Sequence, residues 1–513
     1  MSRMSNARKG IGFGIINNVL NILLPFVSRT IIIYTLGNQY LGLGGLFTSI
    51  INVLNISELG FSTAVAYILY KPIADKDETK VCAILSFARK CFTAIGIIVL
   101  VGGLAVMPFL KKFISGDVPD GINIYVLYLF YLANVVISYV MFSYKRILFS
   151  ANQRYDVETK IASATVIIQQ VIQIAVLLLL KNYYLFVLAF PVATFINNLL
   201  CQSVTKRMYP QYFCKGTISK EEVGILKQKI SGSFFSKLGD TVYLSVNNIV
   251  ISSIFGLLVL GKYSNYYYVI TSLIAIFAIV HNTLRPIIGN CIVTESKDEN
   301  FGKFITLNNI YVWLTAFCSC CLVCLYQDFI AVWAGEDAKF TLAIAVLFAA
   351  YFFSGRISAV VTLFLESAGL WWEIRYFALC SAGVSLVLSI VLAKCIGLAG
   401  VLIASVVSML GVTMIGHVRV LFKHYFDKVK FRQYLKSMLF IVLSSLAIIG
   451  VTFLVASKIT VSGWFSLLCK GAVTAVMFAA LYFIVNIKNK ESRSAWGVAL
   501  RMFGLHKLFK TKG

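Results

Sequence analysis

Acidic residues are scarce in this chain. Of its 513 residues only 21 are Asp or Glu, against 46 Lys and Arg, and charged residues of all kinds reach just 13%. So little charge cannot cover the surface of a soluble protein of this length. There are four histidines and no GxxxxGK[ST] run, so a phosphate-binding loop that would power the chain with ATP is excluded. Long polar stretches are missing too. The segments expected outside the membrane, such as 110–121 and 327–340, run to about a dozen residues. That is too little for the large external active sites of membrane polymerases, ligases and lipid-dependent glycosyltransferases, and the chain is not expected to be an enzyme. A cleavable signal peptide is not expected either, because the short basic start leads straight into a full-length apolar run.

What is abundant is apolar. Hydrophobic residues make up 59% of the chain, its mean hydropathy is +0.84, and runs of 20 or more recur from end to end. Each can cross a bilayer core of about 30 Å. The expected fold class is an all-α polytopic membrane protein of fourteen helices, at 11–36, 41–70, 81–108, 122–146, 161–181, 183–206, 229–256, 262–290, 302–327, 341–366, 374–396, 400–423, 437–457 and 463–487. Of the 46 basic residues, 33 fall in alternate segments that include both termini, and 7 in the opposite ones. By the positive-inside rule both termini are cytoplasmic. The excess of positive charge is then topological, and no nucleic-acid partner is expected. The basic tail 488–513, with spaced apolar residues, fits an interfacial helix on anionic lipid. Cys318, Cys320, Cys321 and Cys324 share one span with no histidine nearby, so they read as small apolar residues, and no metal or cofactor is expected.

Two turns suggest an internal repeat. TLGNQYLG (35–42) and IFGLLVLG (254–261) align Gly37 with Gly256 and Leu41-Gly42 with Leu260-Gly261 at one offset of 219. Glycine is also ordinary in any tight helical hairpin, so both readings stand. A true repeat gives two parallel lobes related by an axis along the membrane normal, with substrate bound between them. The expected organisation is a first lobe at 1–206, a cytoplasmic linker at 207–228, a second lobe at 229–424, two added helices within 425–487, and the tail.

The segment YLGLGGLFTSIINVLNISELGFSTAVAYILYKPIADKDE (40–78) resembles the start of the oligosaccharide repeat-unit flippases of bacterial polysaccharide biosynthesis, within the multidrug/oligosaccharidyl-lipid/polysaccharide exporter superfamily. The LG-x-x-x-LG turn (36–42), SELG (57–60) and LYKPIADKD (69–77) carry the likeness; SANQRYD (150–156) and GLAGVLIAS (397–405) are looser matches. The resemblance implies two six-helix bundles around a central cavity in the bacterial cytoplasmic membrane. It implies an undecaprenyl-pyrophosphate-linked oligosaccharide (O-antigen, capsular or exopolysaccharide unit) carried to the outer leaflet, with H⁺ or Na⁺ coupling and polysaccharide polymerase machinery as a partner left open. A cation-coupled multidrug-type antiporter is the alternative from the same superfamily; a polymerase or ligase is the third.

A pyrophosphate crossing apolar surroundings needs cations facing a wet cavity, and arginine offers directional donors that suit its oxygens. Arg29, beyond Asn17, Asn18, Asn21 and Pro25, is a candidate, with Arg89, Lys237, Arg285 and Arg356. Lys90 and Lys470 lie near span ends and are expected to snorkel. Glu58 and Asp240 are the candidate coupling or gating carboxylates. Glu58 lies in a stripe with Asn55 and Ser62, where packing is the competing role, and Asp240 lies three residues from Lys237, where simple pairing competes. His281, one turn before Arg285, is expected to serve helix packing, and the run YSNYYYV (263–269) an interfacial tyrosine belt, with sugar stacking as the sharper reading.

Overall fold

A computed structural model describes residues 3–55 and 61–486, with side chains from Val19 onward except those of 63, 155, 220, 222, 225–236 and 486. Glu58 and the basic tail lie outside the described residues. Among the described residues there is no strand, and the class is all-α.

The first helices are α1 (Arg3–Thr35), α2 (Asn38–Leu54), α3 (Phe61–Ala74), α4 (Glu78–Val106), α5 (Ile124–Val140), α6 (Ser143–Ala151), α7 (Tyr155–Leu179) and α8 (Tyr183–Met208). There follow α9 (Lys220–Thr294), α10 (Lys297–Ala334), α11 (Leu342–Arg356), α12 (Ala359–Ser367), α13 (Trp371–Ile374), α14 (Phe377–Ile396), α15 (Leu398–Ser408), α16 (Ile415–His424), α17 (Lys428–Ala456) and α18 (Trp464–Asn486). A π-helical turn, Met409–Met414, joins α15 to α16. The chain divides into two compact units, Met1–Ser264 and Asn265–Gly513. The expected second lobe begins at 229, so its first helix, 229–256, falls in the first unit.

Ten helices among the described residues are long and apolar enough to cross a membrane, or eleven if α5 and α6, bent by 54°, are one span. That tally counts Lys237–Thr294 once, although Gly256 leaves helical geometry within it (φ 81, ψ 179). Unbroken, those 58 residues would extend about 87 Å, against a bilayer core of about 30 Å, so the break makes two spans of one. Fourteen is the sequence-based expectation; among the described residues ten to eleven helices qualify with Lys237–Thr294 taken as one, and one more with it divided at Gly256.

Two helices expected to be continuous are broken. The expected run 41–70 holds α2 and α3, and its residues 56–60 lie outside the described ones. The run 122–146 breaks where Phe142 turns left-handed (φ 64), and the Ser143 hydroxyl donates to the Ser138 carbonyl across the break. The run 341–366 is divided between α11 and α12. Breaks of this kind free backbone groups that must be satisfied inside the protein or by water, so they report where a membrane helix abandons lipid. The lipid-compatible surface is elsewhere: Leu179, Val293, Phe465, Leu468 and Val476 are all exposed.

The two glycine turns have matching geometry. Gly37 (φ 100, ψ 170) and Gly256 (φ 81, ψ 179) share one left-handed conformation that only glycine adopts readily. A Cβ on Gly42 would overlap the Leu257 carbonyl oxygen, and one on Gly261 would overlap the Asn38 carbonyl oxygen. Leu257 is Asn38 shifted by 219, so the crossing is reciprocal, as a two-fold relation between the turns requires. The backbone amide of Ser115 donates to the Ser252 carbonyl (3.0 Å), fastening the loop after α4 over the Gly256 break.

In the second unit, Cys320 and Cys324 pack with Ala316, Ile448, Phe478 and Tyr482 in an apolar cluster between α10, α17 and α18. Beside it the snorkelling expectation for Lys470 fails. Lys470 is buried, and its Nζ donates to Asp328 Oδ2 at 2.7 Å. A carboxylate at the end of α10 gives the ammonium a partner within the protein, so it has no need of the headgroups.

Candidate functional site

Polar groups that face the interior of apolar helices gather at separate places, each within one unit. In the first unit α1 is kept close to α7, where Ser28 donates to Gln170. The next residue, Arg29, donates through Nη1 and Nη2 to the Ser264 hydroxyl at 3.2 and 3.0 Å. Ser264 in turn donates to the Gly261 carbonyl at 2.9 Å, so the guanidinium is held against the glycine crossing. Tyr183, within electrostatic reach of Arg29, donates to the Tyr40 carbonyl at 2.7 Å, and the Tyr131 and Tyr183 hydroxyls are hydrogen-bonded. Gly44 makes room for both: a Cβ there would lie 3.1 Å from each hydroxyl. The group is one arginine set among hydroxyls.

The other first-unit candidates lie apart from it. Arg89 is exposed on α4, with Tyr144 of α6 within electrostatic reach. Lys90 beside it is exposed as well, and Lys237 and Asp240 are both exposed on α9.

In the second unit Arg356 closes α11, half-buried, with its Nε fully buried and lacking a hydrogen-bond partner. The groups that act on it electrostatically are Tyr351, Tyr311 and Tyr267, from α11, α10 and α9. Tyr267 and Tyr351 are hydrogen-bonded, with ring centroids 6.1 Å apart. The side chain therefore presents charge and donors beside three tyrosines, and among the described residues no ion pair of Arg356 with a carboxylate is seen.

Arg285 is in a different setting. Its Nε lies 3.5 Å from Glu366 Oε2, and its guanidinium covers the Trp371 ring at 5.0 Å. His281 Nε2 is 3.2 Å from the same carboxylate oxygen. One turn back on α12, Thr362 meets His417 Nδ1 at 3.3 Å. The structure thus brings Arg285 together with His281 and Glu366, and leaves Arg356 beside its tyrosines.

Sequence reasoning missed the residues that complete these groups: Ser264, Tyr131 and Tyr183 around Arg29, and Tyr267, Tyr311 and Tyr351 around Arg356. The available signal was the run 263–269, and the belt reading of it does not hold. Tyr263 and Tyr266 are fully buried; Tyr266 stacks on Phe348 at 5.2 Å and donates to Gln327 Oε1 at 2.9 Å.

No protein-family profile matches the chain, and no curated protein matches it in sequence. Solved structures do share its fold. The lipid II flippase MurJ in an inward closed conformation superposes with a TM-score of 0.63 at 13% identity, covering 93% of this chain and 99% of that one. An inward-facing multidrug resistance MATE family transporter of the MOP superfamily gives 0.57 at 12% identity, covering 82% and 95%. The eukaryotic MATE transporter AtDTX14 gives 0.56 at 12% identity, covering 85% and 99%. The fold is that of these transporters along most of the chain.

Proposed function

We propose that this protein is a flippase of the bacterial cytoplasmic membrane, carrying an undecaprenyl-pyrophosphate-linked oligosaccharide from the cytoplasmic to the outer leaflet. Two lobes alternate in giving access to the substrate, and an H⁺ or Na⁺ gradient drives the cycle. The observation that carries this reading is Arg356. A guanidinium among tyrosine hydroxyls, with a buried Nε left without a partner, is costly in an apolar setting unless an anion completes it. A pyrophosphate supplies that anion, and the tyrosines can donate to its oxygens as the guanidinium does. Arg29, in the first unit, is likewise a cation beside a hydroxyl. The likeness of 40–78 to the repeat-unit flippases and the fold shared with a lipid II flippase both support the assignment.

The shared MATE fold supports a second reading, a cation-coupled multidrug antiporter. An exporter of cations needs carboxylates in the transport path. Glu366, half-buried beside the candidate Arg285, is already engaged by Arg285 and His281.

Proteoliposomes loaded with a lipid-linked repeat unit separate the two. Added protein should speed its appearance in the opposite leaflet, and Arg356→Ala should cut that rate about tenfold or more, the loss expected for a charged hydrogen bond. Arg356→Lys, which keeps charge but not the planar fork, should fall between. No acceleration by the wild-type protein, with efflux of cationic dyes instead, would replace the first reading by the second.

A further inference from the structure

The break between α5 and α6 opens onto a cavity of about 330 Å³ inside the first unit. Its wall combines Ser62 and Tyr70 of α3, Phe92 of α4, Ser138 and Tyr139 of α5, and Ser143, Arg146 and Ser150 of α6, closed by Glu158 of α7. A spanning helix rarely bends by 54° without a purpose, and irregular backbone at that depth belongs beside a wet cavity or a ligand. We infer that this cavity is a carbohydrate subsite, taking one or two neutral sugar rings of the lipid-linked substrate. The inference rests on the flippase reading for the source of the sugar, though not for the binding itself.

Three features select a neutral, hydroxylated ligand. Arg146 and Glu158 hold each other at 3.0 Å, so the wall carries both signs and no net charge. That disfavours a phosphate and suits a diol, which donates to a carboxylate and accepts from a guanidinium. The serines add hydroxyls already oriented by the backbone: Ser138 donates to the Val135 carbonyl at 2.7 Å and Ser143 to the Ser138 carbonyl, leaving their lone pairs as acceptors. Finally, a sugar C–H face needs an accessible aromatic ring, and Tyr70 is exposed in the lining. Phe92 and Tyr139, both buried, stack on each other at 6.2 Å and 17°, and Tyr139 is fixed by donating to Asn55. The volume lies at the small end of ligand pockets, about 300–1,000 Å³. Arg146 and Glu158 lie in the segment that charge counting assigns to the cytoplasmic side, where a newly made sugar unit would be met.

Saturation-transfer-difference NMR on the full chain in detergent, with glucose, galactose, N-acetylglucosamine and maltose as millimolar probes, tests the inference without any turnover. At least one sugar should receive saturation. Arg146→Gln with Glu158→Gln should reduce the signal about fivefold, the loss of roughly one hydrogen bond. Tyr70→Ala should reduce it while Tyr70→Phe, which keeps the ring, should not, and that pair remains decisive if the double variant fails to fold. No transfer to any of the four sugars overturns the subsite, as does a signal unchanged in folded Tyr70→Ala, or displacement of the sugar by inorganic pyrophosphate. Sugar binding without lipid flipping removes the flippase reading and leaves the subsite standing; flipping without sugar binding does the reverse.

Discussion

Lys470 shows how a single side chain escapes a sequence reading. Near a span end the cheapest course for an ammonium is to reach the headgroups, and only a partner in another helix changes that. Asp328, 142 positions away, is that partner. The pair is well buried on the lysine side, with Lys470 at 6% and Asp328 at 31% side-chain exposure, so solvent screens it little. Asp328→Asn should therefore destabilise the protein by roughly 3 kcal/mol, because it strands a buried charge. Replacing both, Lys470→Met with Asp328→Leu, should recover most of the loss. Thermal melting of the purified protein in detergent would show it; a single variant that melts like the wild type would mean that the pair contributes nothing. Arg356 and Arg29 are the contrary case. Their costliness in apolar runs was legible in the sequence, since intramembrane charge is rare without a reason. The hydroxyls around them were not, because tyrosines from α9, α10 and α11 converge only once the helices pack. Arg285 was legible as a cation and not as the partner of Glu366, for the same reason.

At the scale of elements, the sequence displayed its apolar runs but not their breaks. Phe142 in a left-handed conformation has no sequence signal, and nothing in FSYKRILFS marks the point at which α5 ends and α6 begins. Glycine gives a stronger signal. Gly37 and Gly256 were aligned by offset alone, and their shared backbone conformation is the reason for glycine at both. Gly42 and Gly261 are demanded by the close crossing of α2 with the chain at 257–261, which is also where Arg29 is anchored through Ser264. Gly42→Ala and Gly261→Ala should each cost about 1–3 kcal/mol by overpacking. Gly450→Ala in α17, with open space around it, should be neutral or slightly stabilising. Since the two glycines occupy one crossing, the double variant should cost less than the sum of its parts: once the backbones have been pushed apart, the second methyl finds space. Additive losses in melting experiments would show two independent contacts and remove the reciprocal packing.

At the scale of the whole molecule, charge asymmetry and span counting make one joint claim that the fold by itself leaves open. Lys76, between α3 and α4, lies in a segment assigned inside, and Lys181, between α7 and α8, in one assigned outside. Three elements separate them: α4, the bent pair α5–α6, and α7. If the bent pair crosses the membrane, the number of crossings between these positions is odd and the two lysines lie on opposite sides. Should the pair instead enter and return, the number is even and they lie on the same side. The positive-inside count requires the first, because three basic residues at 71–80 and four at 145–160 both need the cytoplasm. Cysteines placed at Lys76 and Lys181 and labelled with a membrane-impermeant maleimide should respond oppositely, the first in inverted vesicles and the second in intact cells. Labelling of both from one side would make α5–α6 a re-entrant element. The carbohydrate cavity would then open at the bottom of a hairpin, and every later helix would be inverted relative to the charge rule. Opposite labelling fixes the bend as a break within a true span, with the pocket of Arg146 and Glu158 at its cytoplasmic end.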